Sequence, residues 1–213
     1  DLIVVAVPSQ SAREVLSPLQ GGLGPDVLAV SLMKGVELGT GLRMSQVLTE
    51  ALDLPAERVA VISGPNLADE IAARQPTATV VAATDEAVAA RVAALCATST
   101  FRPYTNTDVL GVELCGAIKN VIALAVGAAV GCGFGDNSKA TIITRGLVEI
   151  TRLGMALGAS PETFSGLAGL GDLVATCSSP LSRNQAFGRH LGQGMSVMEA
   201  SRASRGVAEG AKS

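Results

Sequence analysis

The chain has 213 residues and is nearly balanced in charge, with 16 lysines and arginines against 19 aspartates and glutamates. Nucleic acid as the main partner would require a basic face, so this balance argues against nucleic-acid binding. Hydrophobic residues make up 48% and charged residues 16%, a composition that excludes intrinsic disorder. The length favours one or two domains, with enough chain to bury a core.

The first hundred residues alternate between short apolar runs and helical patterns. Strands are predicted at 1–8, 27–32, 58–63, 77–83 and 101–105, with helices at 9–19, 42–52, 67–73 and 86–97. The first run is apolar at almost every position, which predicts a strand covered on both faces. Strands alternating with helices predict an α/β fold with a partial, Rossmann-like, doubly wound parallel sheet.

After residue 106 only helical patterns follow, at 108–130, 139–157, 161–164, 182–191 and 196–203. A doubly wound nucleotide-binding domain normally has a Gly-rich phosphate turn after its first strand, and no GxGxxG lies between a predicted strand and helix here. We therefore expect the first half of that domain upstream of Asp1. The prediction is that 1–106 form the C-terminal part of a dinucleotide-binding domain and 107–213 an all-helical substrate domain, incomplete at its C-terminus.

Membrane insertion and metal binding are not expected. The longest apolar stretch, 121–135, is shorter than the roughly 20 residues that a membrane span needs, which predicts a buried helix. The four cysteines form no CxxC pair and their spacing fits no zinc motif, and the chain has one histidine, His190. These features predict no metal site and a reducing, cytoplasmic location.

Lys119 is the sharpest candidate for catalysis. Its neighbours on the same face of a predicted helix, three, four and seven residues away, are all uncharged. Such a lysine either extends its amine to solvent or is desolvated, and desolvation favours the neutral amine that can act as a base. The chain has only four lysines, which favours a functional role. Asn120 beside it can hold a substrate oxygen or make a bond between helices.

Two further candidates follow predicted strands, where ligands of open α/β sheets bind. Lys34 follows the second strand and can meet a phosphate or the substrate, although a solvated loop lysine fits the same letters. Gly64 follows the third strand and allows a ligand close to the backbone. Asn66 can cap the next helix and expose amide N–H groups to an anion. Ala68, in the first turn of that helix, matters if a cofactor packs against it.

The third group lies near the end of the chain. Ser182 is a good N-cap, and the amides behind it together with Arg183 would form a phosphate cradle; a capped surface helix is the alternative. Asp172 can orient a hydroxyl, tune the proton affinity of a lysine, or begin a helix. Together these residues suit a small phosphorylated, hydroxylated substrate with a lysine base.

A resemblance spans nearly the whole chain, from Asp1 to Gly210. It is carried, in the family's order, by VAVPSQ, SLMKGVE, VISGPN, GAIKNVIALAVGAAVGCGFGDN, ITRGLVEITRLGMALGA, GLAGLGDL, SRNQAFG and GVAEG. With these runs the chain resembles the NAD(P)-dependent glycerol-3-phosphate dehydrogenases of bacterial type. The block from GAIKNVIA to GFGDN is highly specific. The chain departs from the family at Asn66, where a Ser or Thr is usual, and at Val130, where an acidic residue is common.

The resemblance implies roles for individual residues. Lys119 would be the proton acceptor, and Lys34 would contact both substrate and cofactor. The glycerol-phosphate site would be lined by Gly64, Asn66, Asp172, Ser182, Arg183 and Asn184. The dinucleotide would also touch Ala68, Arg183, Val207 and Glu209.

The expected reaction is interconversion of sn-glycerol 3-phosphate and dihydroxyacetone phosphate with NAD or NADP, feeding glycerophospholipid synthesis. By the same resemblance, the family's N-terminal Gly-rich turn and C-terminal helices are absent from this chain. A homodimer is one option for its assembly. Two alternatives stay open: another two-domain NAD(P)-dependent hydroxy-acid reductase, or a non-catalytic fragment whose helices 108–157 form an assembly surface.

Overall fold

The computed structural model describes residues 1–204. The chain divides into two compact units, Asp1–Glu113 and Leu114–Ser213. This division falls a few residues after the boundary predicted near 105–107. The reason is that Glu113 forms hydrogen bonds with Ser45 and therefore packs with the first unit.

The first unit is built on a five-stranded sheet in the order β1-β2-β3-β4-β5. The strands are Leu2–Val5, Leu28–Ser31, Val59–Ser63, Thr77–Ala83 and Phe101–Asn106. The predicted α/β, Rossmann-like class is confirmed. Three of the strand pairs are parallel, whereas β3 and β4 run antiparallel, with Val61 opposite Ala82. The start of β4 therefore lies beside the end of β3.

Helices cover both faces of the central strands. Four helices belong to this unit: α1 (Ala12–Leu16), α2 (Met44–Leu52), α3 (Ala68–Ala72) and α4 (Glu86–Cys96). Alternate residues of β2 and β3 enter two separate cores, one shared with α1 and α2 and the other with α4. Every residue of β2 and β3 is buried as a result.

The prediction of a first strand covered on both faces is wrong. Strand β1 has only four residues, and Val4 in it is 52% exposed. Among the described strands β1 pairs with β2 alone, and the core built on α4 includes Leu2 only as a partly buried neighbour. Within this chain, which is shorter than its relatives, one face of β1 is therefore partly open.

As far as residue 204, the second unit is all-helical, as predicted. Its helices are α5 (Val109–Gly131, whose first turns belong to the first unit), α6 (Asp136–Ala156), α7 (Pro161–Ser165), α8 (Asp172–Ser178), α9 (Arg183–Gly192) and α10 (Val197–Ala203). A π-helical turn, Leu167–Gly171, precedes α8. The turn was not predicted from the sequence, and α8 was considered only as the option that Asp172 begins a helix.

Helix α5 closely matches the helix predicted at 108–130, and the apolar stretch 121–135 extends four residues beyond its end. Its 23 residues make it long and apolar enough to cross a membrane by length and composition, the one such helix found among residues 1–204. However, 72% of its most apolar window is buried inside the protein. Burial of this kind is typical of the core helix of a soluble protein, in agreement with the predicted buried helix.

A buried carboxylate holds the start of α2. Glu113 is 6% exposed and accepts hydrogen bonds from the backbone N–H of Ser45 (2.7 Å) and from its hydroxyl (2.6 Å). Arg43 pairs with the same carboxylate. The N–H groups of a first helical turn have no partner within the helix, and a negative charge there is favourable. Glu113 thus fixes the direction of α2.

We expect Glu113→Ala to lower the free energy of unfolding by about 2–4 kcal/mol, because it leaves buried donors and Arg43 without their acceptor. Chemical denaturation measures this change. The control is Glu149→Ala, which removes a 61% exposed carboxylate from α6 and is expected to change stability by less than about 0.5 kcal/mol. Equal effects of the two substitutions would contradict a structural role for Glu113.

Candidate active site

A buried cluster of three polar side chains, here called the lysine cluster, lies in the second unit. Lys119 of α5 forms an ion pair with Asp172 and donates a hydrogen bond to the hydroxyl of Thr176 (2.8 Å). Lys119 is 6% exposed and Asp172 is 2% exposed. The amine of Lys119 therefore does not extend to solvent, and it is held between a carboxylate and a hydroxyl.

The counter-charge of Lys119 comes from another helix. Asp172 lies 53 residues later in the sequence, so the pattern of α5 alone gave no sign of it. Desolvation of Lys119 is one of the two options that the sequence left open, but the amine is also paired. Of the roles weighed for Asp172, the structure shows it beginning a helix, as the first residue of α8, and adds an ion pair with Lys119.

The backbone around α8 positions Asp172. The π-helical turn Leu167–Gly171 runs directly into α8, and Asp172 is the first residue of that helix. A Cβ atom at Gly169 would lie 2.1 Å from the carbonyl oxygen of Phe164, so only glycine allows this close approach. π-Helical turns within α-helices frequently occur at functional sites.

Thr176 is the residue of this cluster that the sequence analysis missed. It stands four residues after Asp172, on the same face of α8, and its hydroxyl also approaches the Asp172 carboxylate (3.3 Å). That spacing would have identified Thr176 had α8 been predicted.

Cys177 borders the cluster and is fully buried. Burial raises the pKa of its thiol to about 12, an effect that Asp172 increases and the positive charge of Lys119 opposes. Because the thiolate is the nucleophilic form, Cys177 is unsuited to covalent catalysis. The chemistry of this region therefore rests on the amine and the carboxylate.

A second polar pair joins α5 to α9. The side-chain N–H of Asn184 donates to the side-chain oxygen of Asn120 (3.0 Å), and both residues are buried. The other amide atom of Asn120, Nδ2, is buried without a hydrogen-bond partner in the described structure. Buried polar atoms are rarely left unsatisfied, so Asn120 Nδ2 is a donor suited to a ligand.

The start of α9 has the predicted cap. Ser182 is the N-cap residue, and its hydroxyl accepts a hydrogen bond from the N–H of Gln185 (3.3 Å). Arg183 is exposed at the first position of the helix, next to buried Asn184. A capped N-terminus with an adjacent guanidinium is favourable for a phosphate.

In the first unit, the turn Ser63–Asn66 follows β3. The amine of Lys34 donates to the carbonyl oxygen of Gly64 (3.2 Å). Gly64 has φ +148, and a Cβ there would lie 3.2 Å from Cα of Thr79, at the start of antiparallel β4. This turn therefore requires glycine, and the structure brings Lys34 and Gly64 together at the end of β3.

The expectation that Asn66 caps the next helix is wrong. Helix α3 begins at Ala68 with Leu67 as its N-cap, and Asn66 instead donates to the hydroxyl of Thr79 (2.7 Å). That hydroxyl donates onward to the carbonyl oxygen of Ser63 (3.1 Å), which leaves Oδ1 of Asn66 buried without a donor in the described structure. Ala68 is exposed at the start of α3.

Two predicted cofactor contacts, Val207 and Glu209, lie outside the described residues. Within residues 1–204, no group of three or more His, Cys, Asp and Glu side chains is arranged to hold a metal ion. A cavity of about 530 Å3 is lined by residues that include Ala56 and Val59. It lies at the start of β3, whereas Gly64 follows the end of that strand, so this cavity is separate from the turn Ser63–Asn66.

Comparison with known proteins identifies the family. Residues 1–89 match the N-terminal model of the NAD-dependent glycerol-3-phosphate dehydrogenases, and residues 108–213 match the C-terminal model. The glycerol-3-phosphate dehydrogenase [NAD(P)+] of Thermobifida fusca is 62% identical over the whole chain. The chain spans 63% of the length of that relative.

Solved structures agree with this match. The crystal structure of glycerol-3-phosphate dehydrogenase from Coxiella burnetii is 40% identical, with a TM-score of 0.91 over 99% of this chain and 63% of the other. The enzyme from Saccharomyces cerevisiae is 32% identical, with a TM-score of 0.84 over 99% of this chain and 63% of the other. The two family models and these likenesses together show that the chain belongs to the NAD-dependent glycerol-3-phosphate dehydrogenase family.

Proposed function

We propose that the complete protein interconverts sn-glycerol 3-phosphate and dihydroxyacetone phosphate with NAD or NADP. The observation that carries this proposal is the lysine cluster, in which a buried amine lies between a carboxylate and a hydroxyl. A buried lysine in such a setting can exchange a proton with a bound alcohol. The identity of the substrate is inferred from family membership. We also propose that the reaction feeds glycerophospholipid synthesis.

Lys119 takes the proton of the substrate's C2 hydroxyl in the oxidative direction and returns it in the reductive direction. Asp172 stabilises the ammonium that forms, because an opposite charge within hydrogen-bond distance favours the protonated amine. Thr176 fixes the direction of the amine through its hydrogen bond to Nζ. Proton transfer then occurs between groups that are already oriented.

The phosphate end of the substrate binds at the start of α9. Arg183 offers a guanidinium and the first helical turn offers N–H groups, with the N-cap Ser182 beside them. Asn184 and the unsatisfied Nδ2 of Asn120 hold the remaining oxygens. Binding energy from this non-reacting group serves to position C2 against Lys119.

A bound dinucleotide would supply the hydride acceptor for C2. The turn Ser63–Asn66 fits such a ligand, because Gly64 lets a ligand approach the backbone and Oδ1 of Asn66 is a buried acceptor without a donor. Lys34 lies at the same turn. We propose that Lys34, Gly64 and Asn66 also contact the substrate, and that the cofactor is held by Lys34, Ala68, Arg183, Val207 and Glu209.

Organisation and location complete the proposal. Residues 1–106 serve the dinucleotide and 107–213 the substrate. The protein works in the cytoplasm, which agrees with four cysteines that form no disulfide. Most of the apolar window of α5 is buried within its own chain, whereas Leu153 and Met155 of α6 are exposed, so the alternative of an assembly surface on 108–157 stays open for α6 alone.

Replacing Lys119 by Ala in the complete protein is expected to lower kcat by about two to four orders of magnitude, the usual scale for loss of an acid–base group. Steady-state oxidation of glycerol 3-phosphate measures this loss. The matched control is Lys139→Ala, which removes an amine at the surface of α6 paired with exposed Asp136. Turnover of Lys119→Ala close to that of Lys139→Ala would remove Lys119 from the mechanism.

Arg183→Ala is expected to lower kcat/KM for glycerol 3-phosphate at least about a hundred-fold and to lower it much less for glycerol, because the phosphate is the only part of the substrate that the guanidinium contacts. Arg189→Ala is the control, since Arg189 is an exposed arginine at the other end of α9. Equal losses with both substrates would assign Arg183 to structure. Faster turnover of a hydroxy acid without phosphate would favour the alternative reductase.

A further inference from the structure

Helices α5 and α9 cross at four glycines, here called the glycine crossing. They form two pairs with the same spacing of four residues, Gly127 and Gly131 on α5 and Gly188 and Gly192 on α9. Residues four apart lie on one face of a helix. Each helix therefore presents a strip without side chains to the other.

The backbones of the two helices touch at this crossing. A Cβ atom at Gly127 would lie 2.0 Å from the carbonyl oxygen of Gln185, and one at Gly188 would lie 2.0 Å from that of Leu124. A Cβ atom at Gly131 would lie 2.3 Å from the carbonyl oxygen of Arg189, and one at Gly192 would lie 2.1 Å from that of Ala128. A carbon–oxygen contact needs about 3.3 Å, so any side chain here moves the helices apart by more than about 1 Å.

The proposed substrate residues lie at one end of this crossing. Asn184 is one turn before Gly188, and Lys119 and Asn120 are about two turns before Gly127. The hydrogen bond from Asn184 to Asn120 (3.0 Å) spans the two helices there. The spacing between the helix backbones thus determines how far Asn184 and Arg183 lie from Lys119.

We propose that Gly127 and Gly188 are positioning residues for substrate binding: their backbone contact holds the start of α9 at the distance from Lys119 that a three-carbon phosphate requires. This inference rests on the proposed function. A second observation points to a ligand at the same end, because Nδ2 of buried Asn120 has no partner among the described residues. The glycines act through Arg183, Asn184 and Asn120 and contact no substrate themselves.

The experiment compares Gly188→Ala and Gly127→Ala with a control whose clash distance is similar but whose contact is with a side chain outside the crossing. The control is Gly154→Ala on α6, where a Cβ would lie 2.1 Å from Cζ of Phe164, outside the crossing. In the complete protein, the ratio of kcat/KM for glycerol 3-phosphate to that for glycerol is measured. We expect both crossing variants to lower this ratio at least about ten-fold, since a displacement of about 1 Å in a bound group is costly to catalysis. Gly154→Ala is expected to lower the melting temperature and leave the ratio unchanged.

An unchanged ratio in folded Gly188→Ala and Gly127→Ala would overturn the proposal and assign both glycines to stability alone. Should these variants not fold, Gly131→Ala and Gly192→Ala carry the test. They lie one turn farther from Asn184, and a drop of about three-fold is expected from each. An unchanged ratio in both overturns the proposal as well.

A crystal structure of Gly188→Ala gives a readout that does not depend on turnover. The distance from Nδ2 of Asn184 to Oδ1 of Asn120 is expected to increase from 3.0 Å to beyond hydrogen-bond length. The bond from Lys119 to Thr176 is expected to stay at 2.8 Å, because α8 is not part of the crossing. A wild-type protein that does not oxidise glycerol 3-phosphate would overturn the proposed function, whereas an unchanged Asn184–Asn120 distance would overturn the positioning role.

Discussion

The second unit depends on the pairing of Lys119 with Asp172. An amine buried in the wall of an apolar helix is costly unless an opposite charge and further hydrogen bonds compensate for its lost hydration. Asp172 and Thr176 provide both, and they can do so only because α8 lies against α5. The same requirement thus links the packing of two helices to the burial and orientation of one amine. The ion pair therefore determines both the packing of α8 on α5 and the surroundings of the amine.

The groups that remain unsatisfied are as informative as those that are paired. Lys119 and Asp172 satisfy each other, whereas Nδ2 of Asn120 and Oδ1 of Asn66 are buried without partners in the described structure. A buried donor or acceptor without a hydrogen-bond partner destabilises the protein, and a ligand that forms the missing hydrogen bond removes this cost. Their presence near the proposed substrate and cofactor residues of their respective units supports binding of a polar ligand more directly than the volume of any cavity.

The sequence predicted most elements because burial follows periodicity. It also indicated Lys119, since a charge within an apolar run is conspicuous. It could not supply Asp172 as the partner of Lys119, because a contact across 53 residues has no local signature. The segment with α8 was missed because glycines around 166–171 obscure the helical period, and Thr176 was missed with it. The exposure of Val4 and the antiparallel pairing of β3 with β4 depend on which elements lie beside each strand. The amino-acid sequence of a strand does not specify those neighbouring elements.

Helix α5 shows how one composition can arise from different constraints. Its length, its apolarity and the spacing of Gly127 and Gly131 are all typical of a membrane helix that dimerises through a GxxxG face. Here the matching face belongs to α9 of the same chain, and most of the apolar surface is covered by protein. A glycine inside a helix destabilises it by about 1 kcal/mol relative to alanine. Glycines kept at the contact of two helices therefore indicate that close approach of the two backbones compensates for this cost. At this contact, closeness brings Asn184 within hydrogen-bond distance of Asn120, the residue that follows Lys119.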